Sequence, residues 1–170
     1  MERSWILLGM MGAGKSSVGR ALSELSGRTF QDTDLLLQYR LGRPVSQLFA
    51  LYGEQAFRDH ETKLLSDRQP CLEVLATGGG IIVREENWVH LRRLGHTIYL
   101  KAEFSTLRDR LEHSKKKRPL LEVEGWEERL RELLQARLPL YQRADFVVDV
   151  DGLEIYEAAA AIYKVIELAP

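Results

Sequence analysis

A three-layer α/β/α sandwich with a mainly parallel sheet is the fold class that this 170-residue sequence predicts, and three features carry the prediction. Five short apolar runs alternate with segments of helical spacing, as a parallel sheet requires when each crossover is a helix. Glycine clusters follow two of those runs directly. The length suits a single domain over 1–170, at roughly 100–200 residues per domain.

The first run, Trp5 to Leu8, enters GMMGAGKSSVGRALSEL, where the apolar spacing becomes Val18, Ala21, Leu22 and Leu25. This is strand, glycine turn, helix. Gly27 stops that helix, and Arg28 to Gln31 form a brief second strand that delivers Asp32 and Asp34 into a turn. DLLLQYR is helical, Gly42 and Pro44 interrupt it, and VSQLFALYG and EQAFRDHETKLLSD follow as two helices before the break at Pro70. CLEVLAT is the third strand, with Gly78, Gly79 and Gly80 at its exit. A helix from Glu85 to Arg93 precedes the strand Thr97 to Leu100, and Ser105 is placed to cap the helix through Leu107 and Leu111. The polar interval His113 to Gly125 contains KKKRPLLEVEG and reads as a mobile lid. From Trp126 to Leu138 the acidic Glu127 and Glu128 come first and Arg131 and Arg137 later, the order a helix dipole favours. Phe146 to Val150 is the last strand, and Ile155, Ala158, Ala159, Ile162 and Ile166 mark the closing helix. Right-handed crossovers gather the strand exits, with both glycine clusters and the two aspartates, along one edge.

Composition narrows the function. With 24 basic and 25 acidic residues the net charge is −1, which argues against a global polyanion-binding surface, so no nucleic-acid partner is expected. No apolar run approaches the roughly 20 residues that span a bilayer. Met1 to Trp5 lacks a basic stretch followed by an apolar one, and a cytoplasmic location without membrane association is expected. The single cysteine, Cys71, opens a strand-like run and is expected as a buried, reduced thiol. His60, His90, His96 and His113 form no HExxH arrangement and read as structural or solvated.

The chemistry is carried first by Gly9, Gly14, Lys15 and Ser16, which complete G-x-x-x-x-G-K-[ST], with Gly12 adding backbone freedom. Such a match arises by chance in about 1 of 150 chains this long. Here it also sits between an apolar strand and a helix, where backbone N–H groups cradle phosphate and Lys15 reaches the outer phosphates. Ser16 is suited to hold Mg²⁺ through its hydroxyl. Asp32 either caps a helix or holds a magnesium-bound water, and Asp34 either lies in a surface turn or orients an acceptor hydroxyl.

Two arginines suggest an anionic acceptor. Arg58, spaced to pair with Glu54 and Glu61 on a helix, is either part of a solvated network or a bidentate carboxylate clamp with Glu61 behind it. Arg137 offers the same choice between helix-end electrostatics and an anion clamp. Gly78 to Gly80 could add N–H donors, and Arg110 either packs against a nucleotide base or pairs structurally. Lys115, Lys116 and Lys117 read as a solvated loop, while Arg118, followed by PLL, could enter the site on lid closure and stabilise a transferring phosphoryl group.

From GMMGAGKS through FQDTD, GEQAFRDHE and ATGGG to RPLL, RLPLY and the following AD, the chain resembles the shikimate kinase family over almost its whole length. The resemblance implies a P-loop kinase fold with a five-stranded parallel sheet in the order 2-3-1-4-5, a substrate-binding helical region at about 34–68 and a mobile lid at about 113–125. It implies ATP and Mg²⁺ as cofactors and transfer of ATP's terminal phosphoryl group to the 3-hydroxyl of shikimate. Lys15, Asp34 and Arg118 match catalytic positions. Gly12, Ala13, Gly14, Lys15, Ser16, Ser17, Arg110 and Arg118 match the nucleotide side, with the base near Asp151 to Leu153, and Ser16 and Asp32 match the magnesium positions. Asp34, Arg58, Gly78, Gly79, Gly80 and Arg137 match the acceptor side, with Phe49, Phe57 and Glu61 around it. A monomer is expected, and gluconate or a nucleoside monophosphate remains the rival acceptor.

Overall fold

The computed structural model describes residues 3–169. The expectations that touch Met1, Glu2 and Pro170, including the ends of the 1–170 domain, lie there outside the described residues.

Five parallel strands form one sheet in the order β2-β3-β1-β4-β5: β1 (Ser4–Leu8), β2 (Thr29–Asp32), β3 (Glu73–Ala76), β4 (Gly95–Lys101) and β5 (Phe146–Asp149). The centre is buried on both faces, so SWILL and EVLA are buried at every position instead of alternating. Helices α1 (Lys15–Ser26), α2 (Thr33–Leu41), α3 (Val45–Asp67), α4 (Glu85–Leu94), α5 (Phe104–Glu112), α6 (Trp126–Tyr141) and α7 (Ile155–Glu167) supply the crossovers and outer layers. The main core joins Ile6, Leu7, Leu22, Trp88, Leu100 and Ile162. A second cluster of Leu37, Leu48, Phe57 and Leu64 gives α2 and α3 an apolar interior of their own.

Gly53 (φ 80°, ψ 171°) breaks α3 where the two helices were expected to meet. Its backbone lies in a region that is essentially reserved for glycine. The lid is not wholly irregular, since Pro119–Leu121 forms a 3₁₀ turn.

Two expectations are corrected. Ser105 does not cap α5: the helix starts at Phe104, with Glu103 at the cap position and its N–H donating to Asp151 Oδ2 at 2.9 Å, so the β5 exit loop sets the start. Cys71 is half-buried and precedes β3, because pairing with β1 and β2 starts only at Glu73–Val74. Its carbonyl accepts from Ser4 Oγ at 3.2 Å. No helix among the described residues is long and apolar enough to cross a membrane.

Candidate active site

Because all five strands run in one direction, β1, β2 and β3 end on the same edge and bring three loops together. After β1 the chain wraps into α1, whose first residue is Lys15. Lys15 Nζ donates to the carbonyls of Gly9 (2.6 Å) and Met10 (3.0 Å) inside the loop. Burial, with the nearby Arg118 guanidinium second, lowers its pKa to about 7. Ser16 Oγ donates to Asp32 Oδ2 at 2.6 Å. The other Asp32 oxygen accepts the N–H groups of Asp34 (2.9 Å) and Leu35 (3.3 Å), so Asp32 caps α2 and faces the phosphate loop at once. A cavity of about 430 Å³ lies here, lined by Gly12, Gly14, Lys15, Ser16, Ser17 and Asp32, among others.

A further cavity of about 340 Å³ continues this space, with Ala13, Gly14 and Ser17 on one wall and Arg110, Val150 and Leu153 on the other. Arg110 Nη1 donates to the carbonyls of Gly12 (3.3 Å) and Ala13 (3.1 Å), a structural pairing that also sets the guanidinium at the cavity wall.

On the other side is a cavity of about 80 Å³, bordered by Asp34, Phe49, Phe57, Arg58, Glu61, Gly78, Gly79, Gly80 and Arg137. It is smaller than the roughly 300–1,000 Å³ of ordinary ligand pockets. Lid residues Lys116, Lys117, Arg118, Pro119 and Leu120 lean over it. This cavity and the phosphate cavity share Met11, Asp34, Gly78, Gly79, Lys116 and Arg118, so the two meet beneath the lid.

Arg58 is buried. Its Nη1 donates to Glu61 Oε2 at 2.6 Å and its Nη2 to Glu54 Oε1 at 3.2 Å, so the helix-face network is real, but it is turned inward. Burial pushes the Glu61 carboxyl up to about 7 against the pull of Arg58. The glycines after β3 make room for these side chains. A Cβ on Gly80 would lie 2.2 Å from Arg58 Nη2, and one on Gly78 would lie 2.9 Å from Asp34 Oδ1 and 3.0 Å from Glu61 Oε1. The tight approach expected at the glycine turn is thus made by the pocket's own charged groups.

Arg137 is buried one turn before the end of α6, and its Nη1 has no hydrogen-bond partner among the described residues. Arg118 Nε is likewise buried without one. Unpartnered buried donors are costly unless a ligand satisfies them. Burial also pushes the Asp34 carboxyl upward, opposed first by the Lys116 ammonium 3.9 Å from its Oδ2.

Lys116 and Lys117 are exposed, as a solvated run implies, yet both border the cavity of about 80 Å³, and the sequence did not single out Met11, Val45 or Thr33. Thr33 Oγ1 accepts the Gly78 N–H at 3.0 Å, tying the β3 exit to α2. Only the position of Thr33 between Asp32 and Asp34 marked it.

A phosphate loop at the edge of a 2-3-1-4-5 sheet, joined under a lid to a cationic pocket, defines a P-loop phosphotransferase that acts on a small molecule. The sequence profile of the family described as "Shikimate kinase" matches residues 11–167. A shikimate kinase of Thermodesulfovibrio yellowstonii is 41% identical over 160 residues, covering 94% of this chain and 92% of that protein. Among solved structures, shikimate kinase from Acinetobacter baumannii in complex with shikimate superposes with a TM-score of 0.92 at 36% identity, over 98% of this chain and 94% of that one. The shikimate kinase of Bacteroides thetaiotaomicron gives 0.87 at 29% identity, over 98% and 99%. The chain belongs to the shikimate kinase family.

Proposed function

We propose that the chain transfers the terminal phosphoryl group of ATP to the 3-hydroxyl of shikimate, giving shikimate 3-phosphate and ADP. The observation that carries this reading is the junction of the two cavities at Asp34 and Arg118, with Lys15 and Asp32 on one side and Arg58 and Arg137 on the other.

The donor occupies the phosphate cavity, its base reaching between Arg110 and Leu153. The N–H groups of the loop from Gly12 to Ser17 hold the phosphates, and Lys15 and Arg118 neutralise charge on the moving phosphoryl group. Ser16 and Asp32 fit a magnesium ion. Both present hard oxygen donors, 2.6 Å apart, and an ion that keeps several waters needs few protein ligands. Held there by Ser16 and Asp32, Mg²⁺ would supply Lewis-acid withdrawal of charge from the phosphates.

On the acceptor side, Arg58 and the unpartnered Nη1 of Arg137 hold the carboxylate, with the Gly79 and Gly80 N–H groups beside them. Phe49 and Phe57, whose ring centroids are 4.7 Å apart, form the apolar floor under the acceptor ring. Asp34 contacts the ring hydroxyls and aims the reacting one at the phosphoryl group, and Glu61 orients Arg58 from behind. The lid at about 113–125 closes over the helical region at about 34–68 and excludes water, within one P-loop kinase domain. A monomer acting in the cytoplasm completes this reading, and size-exclusion chromatography with light scattering tests the first part.

The deciding measurement is an acceptor panel of shikimate, quinate, gluconate and nucleoside monophosphates with Mg-ATP, read by product mass. Shikimate 3-phosphate is the expected product, and phosphorylation of an uncharged or nucleotide acceptor alone would overturn the reading. Omitting Mg²⁺ should abolish product formation.

A further inference from the structure

Tyr141 ends α6, one helical turn beyond Arg137, and is wholly buried. Its ring stacks on that of Tyr99, with centroids 4.9 Å apart and planes 8° from parallel. Its hydroxyl donates to the carbonyl of Gly79 at 2.5 Å. Burial raises the phenol's pKa above its ordinary value, so it stays protonated and a donor.

The Gly79 carbonyl and the Gly80 N–H belong to one planar peptide unit and point in opposite directions. Holding the carbonyl toward Tyr141 therefore turns the N–H away from it. Two glycines flank the unit, so there is little steric resistance to its turning over. It also lies between the two arginines: a Cβ on Gly79 would be 3.5 Å from Arg137 Nη1, and one on Gly80 would overlap Arg58. In the flipped state the negative end of the carbonyl dipole would face the ground where an anion is held.

The geometry points to Tyr141 as the positioning residue of the acceptor site: its hydroxyl fixes the Gly79–Gly80 peptide so that N–H, and not C=O, is presented to an anionic acceptor. This assignment rests on the acceptor reading above. It gives the tyrosine of RLPLY a task beyond filling the core, since a phenylalanine would fill the same volume and stack on Tyr99 equally well.

Tyr141→Phe tests it, with Tyr99→Phe as the control that removes the other hydroxyl of the stacked pair. For Tyr141→Phe the KM for shikimate should rise about 5- to 10-fold, the worth of one hydrogen bond, while kcat and the KM for ATP stay within about twofold. Tyr99→Phe should match the wild type in all three. In the ligand-free enzyme the Gly80 amide resonance should be single and sharp in the wild type and exchange-broadened or doubled in Tyr141→Phe. Because that signal needs no acceptor, it reads the peptide even where the panel above rejects shikimate. An unchanged Gly80 resonance, a loss confined to kcat, or an equal KM change in Tyr99→Phe would overturn the assignment.

Discussion

Arg58 shows how one side chain serves fold and pocket together. It bridges Glu54 and Glu61, lies 5.6 Å and 5.9 Å from the centroids of the Phe57 and Phe49 rings, and fills the space that Gly80 leaves open. Arg58→Ala should therefore raise the KM for shikimate by at least about tenfold with nucleotide binding retained, since a charge-assisted contact is worth about 1.5–3 kcal/mol. Steady-state kinetics with shikimate varied, beside ADP titration calorimetry, separate the two effects. Lys15→Ala should lower kcat by about 100-fold or more through lost stabilisation of the transferring group, measured as ADP release at saturating substrates. Glu61 brings a pH dependence. Its folded-state pKa of about 7 exceeds the ordinary 4.5, so between these values the native chain holds a proton that the unfolded chain has lost. The stability it contributes is complete below about 4.5 and disappears as pH rises through about 7. The melting temperature of the wild type, taken relative to Glu61→Gln, should fall over that window, and a flat difference would contradict the assignment. At this scale the sequence was legible wherever a motif fixed the spacing, as in the phosphate loop and the RPLL arginine. It read Lys116 as solvated, and the side chain is exposed, but nothing local shows that the loop folds back to bring its ammonium to 3.9 Å from Asp34.

The most consequential element is α3, because it is broken. In a continuous helix Phe49 and Phe57, eight residues apart, would be separated by about 12 Å along the axis. The turn at Gly53 brings their rings to 4.7 Å and so makes the apolar floor. Beyond its own chain neighbours and helix backbone, no atom of the described residues lies within 4 Å of a Cβ built at Gly53, so backbone strain is what opposes a side chain there. Gly53→Ala should cost about 1–3 kcal/mol, or a Tm loss of about 2–12 °C, and should weaken shikimate binding more than nucleotide binding. Calorimetric melting and titration of each ligand check both parts. Most element positions were readable because apolar spacing changes visibly between strand and helix, and the break in α3 was marked by Gly53 itself. The ends were harder to read. Serine is a strong capping residue, yet α5 starts beside Ser105 at a weaker one because Asp151 anchors Glu103 from another part of the chain. Such a long-range contact leaves no local trace.

Across the whole molecule the strand order divides the labour. The order β2-β3-β1-β4-β5 places the phosphate loop of β1 beside the glycine turn of β3, with β2 delivering Asp32 and Asp34 from the edge. Alternating apolar and helical segments announced a parallel sheet but not this order, which came from resemblance, because periodicity records each segment's environment and not its neighbour. On the far side, α7 packs against α1, with Ala158, Ala159 and Ile162 buried in the main core. Ile162→Ala should cost about 2–5 kcal/mol, to be read from urea unfolding, and an unchanged midpoint would contradict this packing.

The same packing bears on how the protein comes to life on the ribosome. Helix α7 braces the helix that opens the phosphate loop, and its first turns, with Leu153 and Glu154 before them, wall the space beside Arg110. The phosphate loop is translated well before α7, the helix that packs behind it. A nascent chain halted at Gly152 would already carry the whole glycine-lysine signature and still lack the helix that packs against α1 behind it.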